Sequence, residues 1–153
     1  MKRLHCLVLC AALVLQYVSY AQLPPIGDLK AKAAKPLLFS SLPDSFEVDK
    51  HQLQKIFTAN VNDDIYLQLS SQFLVIGQVV DKRQHTPGTV SVNIRVTNYA
   101  NALFNLTVRL LADNSSTIRG RVLHPKFGDV LILERDADTY YIKKKSQALL
   151  LPD

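Results

Sequence analysis

From Thr89 to Thr97 the chain reads TVSVNIRVT, with Val90, Val92, Ile94 and Val96 interleaved between Thr89, Ser91, Asn93, Arg95 and Thr97. Such a period of two belongs to a strand with one buried face and one wet face. A strand of this kind needs partners with the same rhythm. Leu103 to Leu111 continues the pattern and directs Phe104, Leu106, Val108 and Leu110 inward. Upstream, Ile65 to Leu69 alternates, and Phe73 to Val80 is apolar on both faces, with Gly77 marking a bulge or a close backbone approach. Thr86-Pro87-Gly88 reads as a turn. Further strands are expected at about 117–124, 129–135 and 138–144, with Ala148 to Leu151 a short last one.

One stretch breaks the rhythm. Val48-Asp49-Lys50-His51-Gln52-Leu53 has the chemistry of a helix entrance: Asp49 caps the free amides, Gln52 reaches back to complete a capping box, and Val48 and Leu53 form a hydrophobic staple. Leu53, Ile56 and Phe57 share one face, so a short helix is expected over roughly residues 50–59, docked by that face. Seven or eight short strands on tight connections favour antiparallel hairpins over a crossover sheet. The expected fold is therefore mainly β (α+β): an antiparallel, strongly curled sheet or small barrel with one short helix packed on it. A two-sheet β-sandwich is the alternative.

The ends of the chain bear on compartment. In MKRLHCLVLCAALVLQYVSYAQ, Lys2 and Arg3 precede an apolar core from Cys6 to Leu15, and Ser19-Tyr20-Ala21 places small residues where a signal peptidase reads. Residues 1–21 are thus expected to be a signal peptide, too short in its apolar part to anchor as a spanning helix. Lipidation at Cys10 is the rival, but Cys10 lies inside the apolar core behind the large Leu9. Cleavage would remove both cysteines, leaving no disulfide, thiolate metal site or cysteine nucleophile. It would also remove Lys2 and Arg3, leaving 16 basic against 13 acidic residues, a net charge of +3. That mild charge does not call for nucleic acid or an anionic membrane as partner. Residues 22–41, opening QLPPIGDLKAKAAKP, read as a Pro- and Lys-rich leader, and residues 42–153 as a single β-rich domain.

Chemistry-bearing motifs are few. His124-Pro125-Lys126-Phe127-Gly128-Asp129 lies between two apolar runs and reads as a hairpin connection. Pro125 suits the turn's first corner, Gly128 a positive-φ position, and Asp129 the turn's backbone amides. His124 and Asp129 form a base-and-orienter pair on paper, but no G-x-S-x-G elbow supplies a nucleophile. His51, His85 and His124 are scattered, with no H-E-x-x-H and no calcium loop, so no metal is expected. Asn62-Asp63-Asp64 reads as a turn before the strand at Ile65. The five glycines never cluster, so no phosphate cradle forms, and no cofactor is expected. In Tyr140-Tyr141-Ile142-Lys143-Lys144-Lys145, strand alternation sends Lys143 and Lys145 to one side and Lys144 to the other, which argues against a nucleic-acid platform.

Pairing brings out one polar surface. If residues 98–102 form a hairpin loop, Arg95 stands opposite Asn105, Asn93 opposite Thr107 and Ser91 opposite Arg109, all on the non-core face. Asn93, Arg95, Asn105, Thr107 and Arg109 are the candidate ligand face, since arginines among amides and hydroxyls grip carboxylates, phosphates or sugars. An ordinary solvated sheet face is the competing reading. Asn105-Leu106-Thr107 and Asn114-Ser115-Ser116 match the N-glycosylation pattern, the first in mid-strand and the second in a polar turn.

Taken together, the signal ending Ser19-Tyr20-Ala21-Gln22, the stretch LPDSFEVDKHQLQKIF, and SVNIRVTNYANALFNLTVR followed by GRVLHPKFGDVLILERDADTYYIKK resemble small uncharacterised exported proteins of Bacteroidota. The resemblance implies a periplasmic, envelope or extracellular setting and carries no site residues. The expected function is a non-catalytic binding or accessory domain for an unknown protein or a small anionic or polar ligand. No nucleic acid is expected as partner, and no transmembrane segment after signal cleavage. An edge-strand interaction or inhibitory module built on Ala148 to Leu151, and an unrecognised hydrolase, are the alternatives.

Overall fold

The strand beginning at Thr89 lies in the interior of one eight-stranded antiparallel sheet, seen in a computed structural model that describes residues 34–113 and 115–150. The expected signal peptide, leader residues 22–33, the sequon residue Asn114 and the terminal Leu151 lie outside the described residues. In chain order the elements are β1 (Ser45–Val48), α1 (Lys50–Ile56), β2 (Asp64–Ser70), β3 (Phe73–Thr86), β4 (Thr89–Val96), β5 (Ala102–Leu110), β6 (Ser116–Leu123), β7 (Asp129–Asp136) and β8 (Thr139–Ser146). Strands β2 to β8 form a continuous meander, and β1 joins it on the far side of β8. The sheet curls into a half-barrel, and its two edges touch where the Asp49 amide donates to the Leu69 carbonyl at 2.8 Å. A single sheet closing on itself replaces the sandwich alternative, because all eight strands share one ladder and one inner face.

The inner face follows from the alternation. Val92, Ile94 and Val96 of β4, Phe104 and Leu106 of β5, and Ile118 and Val122 of β6 are fully buried or nearly so. Phe39, Phe46, Phe73, Tyr99 and Phe104 form an aromatic cluster whose ring centroids lie 5.3–6.5 Å apart. Such contacts add to burial that stabilises by about 1.5–3 kcal/mol per large side chain. Leu110 departs from expectation: it lies at the end of β5, beyond the curl, and is exposed.

Helix α1 packs Leu53 and Ile56 into this core. Asp49 caps it by accepting from the amides of His51 and Gln52. The box is not completed by Gln52, because the Asp49 amide is already given to Leu69 and the Gln52 side-chain Oε1 accepts from Lys55 Nζ. At the other end the helix tightens into i−3 bonds from Phe57, Thr58 and Ala59. Lys82 of β3 then donates to the carbonyls of Phe57 and Ala59, both at 2.8 Å. The helix is thus shorter than its apolar pattern suggested, and a lysine from the sheet takes up its terminal acceptors.

Three other elements differ from the sequence reading. Strand β3 runs on to Thr86, since the charged Asp81–His85 stretch pairs with β4 across a two-residue Pro87-Gly88 turn. Strand β1 was not foreseen: its four residues are too few to display a period, although Phe46 and Val48 point inward. Gln147–Leu150 forms a 3₁₀ turn rather than a last strand, because the Gln147 amide is drawn to the Gly128 carbonyl at 2.7 Å. Gly77, by contrast, is the close approach expected: a Cβ there would stand 2.1 Å from the Arg95 carbonyl oxygen.

Candidate functional site

The residues of the catalytic alternative, His124 and Asp129, bound the connection between β6 and β7. The Phe127 amide closes a turn onto the His124 carbonyl, with Pro125 at its first corner. Gly128 does not have a positive φ. Its lack of a side chain instead admits the chain near Lys35, whose carbonyl oxygen would lie 3.1 Å from a Cβ. The Gly128 amide donates to the Pro36 carbonyl at 2.9 Å. Asp129 is 3 % exposed and turns away from the turn's own amides. Its two carboxylate oxygens accept from Leu38 N at 2.8 Å and Phe39 N at 2.7 Å. His124 Nδ1 accepts from the Lys126 amide. The pair is therefore not assembled: each member holds a different piece of backbone. Leu38 and Phe39, assigned to the leader in the sequence reading, belong to the domain through Asp129 and the core.

The polar face is assembled, in a shifted register. Thr97–Tyr99 forms a 3₁₀ turn, and Ala100 and Asn101 take left-handed conformations (φ 52° and 64°). The hairpin loop is consequently residues 97–101, and β5 begins at Ala102. Each expected cross-strand pair moves by two residues, to Asn93 opposite Asn105, Ser91 opposite Thr107 and Thr89 opposite Arg109. A two-residue shift leaves every side chain on its face, so the candidate set stays together on the outer side. Arg95 now stands opposite Leu103.

Two hydrogen-bonded rungs cross this outer face. In one, Asn105 Nδ2 donates to Asn93 Oδ1 at 2.7 Å, and Asn93 Nδ2 donates to Asp81 Oδ2 at 3.1 Å. In the other, Thr107 and Ser91 share a 2.8 Å hydroxyl contact, and His85 Nε2 lies 3.0 Å from Ser91 Oγ. The His85–Ser91 distance is that of a base beside a nucleophile. But Ser91 sits in mid-strand, laddered on both sides to β3 and β5, so neighbouring amides are not free to stabilise an oxyanion.

Sequence reasoning missed two members. Strand β6 places Arg121 opposite Asn105 and Arg119 opposite Thr107. Their alternation with Ile118, Gly120 and Val122 was visible, but only the β5–β6 pairing shows that they extend the same rungs. Arg95, Arg109, Arg119 and Arg121 are all exposed. Among the described residues none of the four has a carboxylate within 4.0 Å. The strands flanking the face offer one acid each that is already engaged: on β3 Asp81 pairs with Arg83 at 3.0 Å, and on β7 Glu134 is held by Lys143 at 2.8 Å and by Lys145. The Lys143 hydrogen bond, then that of Lys145, holds the Glu134 carboxyl below the ordinary glutamate value. Asn105, Thr107, Arg119, Arg121, Glu134 and Arg135 line an open groove of about 820 Å³ over β5–β7. Asn105, the first sequon residue, is half-buried and gives one amide hydrogen to Asn93.

No group of three or more metal-ligating side chains occurs among the described residues. No protein-family model matches the chain, and neither curated proteins nor solved structures give a match.

Proposed function

We propose that the protein is an exported, non-catalytic binding domain that holds an anionic ligand on the outer face of β4–β6. One observation carries the reading: four exposed guanidinium groups, at Arg95, Arg109, Arg119 and Arg121, share a sheet face without a carboxylate partner among the described residues. Charges gathered on one face repel one another, so a fold that spaces them around a hydrogen-bonded amide and hydroxyl frame supports a role beyond solubility. Guanidinium forks suit carboxylate, sulfate and phosphate oxygens. The signal-like N-terminus supports export.

The test compares two charge-matched variants by calorimetric titration with anionic probes. Arg119→Gln/Arg121→Gln should lower affinity at least about tenfold, at about 1.5–3 kcal/mol per charged hydrogen bond. Lys55→Gln/Lys126→Gln, which removes the same charge elsewhere, should leave binding intact. Equal losses in the two variants would mean that net charge, not this face, does the binding.

A further inference from the structure

The arginines are arranged along a line, and that arrangement says more about the ligand than their number does. Arg119 and Arg121 are next neighbours on the outer side of β6, about 7 Å apart at a rise of 3.3 Å per residue. Arg109 lies one strand over and one pleat along, opposite Thr117, at about 8 Å from Arg119. Arg95 lies on β4 beyond the other end, about 12 Å from Arg121. From Arg109 to Arg95 the arc covers about 20 Å, running with the strands. One phosphate or carboxylate can bridge Arg119 and Arg121, but it leaves Arg95 and Arg109 unused.

The frame between the arginines is also informative. Asn93 and Asn105 each spend one of two amide hydrogens on the rung, leaving the second to donate outward. Thr107 adds a hydroxyl whose described partner is Ser91. These are the groups that meet sugar hydroxyls. The outward positions of β4, β5 and β6 carry no aromatic ring. Base stacking, the main anchor for single-stranded nucleic acid, therefore has no platform on this face. Of the residues that anchor protein interfaces this face offers arginine alone, with no aromatic ring beside it.

Resting on the anion-binding reading above, we infer that the ligand is an acidic polysaccharide, bound as an extended chain several sugars long with its acidic groups spaced along the arginine arc. The purified protein is titrated with polygalacturonate, galacturonate monomer, inorganic phosphate, poly-glutamate and a single-stranded oligonucleotide. Polygalacturonate should bind with an affinity that falls steadily with salt, and at least about a hundredfold more tightly than the monomer or phosphate, since only the polymer engages separated arginines at once. Arg95→Gln and Arg109→Gln should each weaken polymer binding several-fold while leaving the melting temperature unchanged. Monomer or phosphate binding as tightly as the polymer, and lost in Arg119→Gln/Arg121→Gln, would overturn the polysaccharide and keep the anion site. Tighter binding of poly-glutamate or the oligonucleotide would overturn it in favour of that class. Binding of none of the five would bring down the anion-binding reading as well.

Discussion

Replacing Asp129 by Asn tests whether the crowded hairpin turn is a structural hub. The side chain is 3 % exposed, and its two oxygens hold the Leu38 and Phe39 amides at 2.8 and 2.7 Å. Hydrogen bonds to a charged acceptor contribute about 1.5–3 kcal/mol each, and a stranded buried amide costs about 1–3 kcal/mol. Asn keeps one acceptor oxygen but turns an NH₂ group toward the other amide, donor against donor. It also spares the cost of burying a charge, which offsets part of the loss. The expected net destabilisation is about 2–3 kcal/mol, or roughly 10 °C in melting temperature for a domain of this size. Urea unfolding gives the free energy, and hydrogen exchange gives its location: the Leu38 and Phe39 amides should lose protection before those of β4 and β5. Phe39 is fully buried beside Tyr99, so its release would loosen the aromatic cluster as well. A variant within about 0.5 kcal/mol of the parent, with those amides still protected, would refute the latch.

Lys82→Met keeps the aliphatic stem but removes both bonds to the Phe57 and Ala59 carbonyls, and should cost about 1–3 kcal/mol in urea unfolding; an unchanged midpoint would show that the helix end is satisfied without the ammonium. Gly77→Ala puts a methyl 2.1 Å from the Arg95 carbonyl oxygen, a backbone atom that cannot move without parting β3 from β4. About 2–3 kcal/mol of destabilisation is expected, and near-parental stability would contradict the close approach. Glu134 has a folded-state pKa below its unfolded one, chiefly through the Lys143 hydrogen bond. Its stabilisation is therefore complete above the ordinary glutamate range and disappears as pH falls through the depressed value. Solvent screening at this exposed pair limits it to less than about 1 kcal/mol. Carboxyl NMR titration of Lys143→Gln should move the Glu134 midpoint upward; an unmoved midpoint would remove lysine pairing as the cause.

What the sequence disclosed was whatever a short-range period can encode. Val90 to Val96 announced their inner face, and the hairpin after Thr86 followed from Pro87-Gly88. The cap at Asp49 was legible because N-cap chemistry is local. The β4–β5 register was not, since it depends on Ala100 entering a left-handed conformation that its residue type does not advertise, next to Asn101, whose type does. Strand β1 and the Phe39 segment were hidden for another reason: both are fixed by distant partners, β8 and Asp129, roughly ninety residues away in sequence. The arginine face was half-read for the same cause. Arg95 and Arg109 could be found by folding one hairpin on paper, whereas Arg119 and Arg121 needed the next pairing and depended on the first register being right. Lys143, Lys144 and Lys145 show the opposite case. Alternation alone separated them, and the structure places Lys143 and Lys145 on Glu134 and Lys144 on the Leu42 carbonyl and Asp44.

The carboxylates around the face explain why its charge is directional. On the β3 side Asp81 is engaged by Arg83 at 3.0 Å and by the Asn93 amide. On the β7 side Glu134 is held by Lys143 and Lys145. Both acids are therefore neutralised by partners other than the four arginines, yet each still presents oxygens at the margin of β4–β6. An anionic chain lying across the strands would have to pass over one of these margins, while a chain lying along them stays above guanidinium, amide and hydroxyl groups until it reaches the exposed Leu103 opposite Arg95. Three neighbouring strands give a strip only about 10 Å wide between their outer members. Hence Asp81→Asn, which removes one margin and weakens the pull on Asn93 Nδ2, should broaden what the face accepts more than it strengthens binding of any one polyanion.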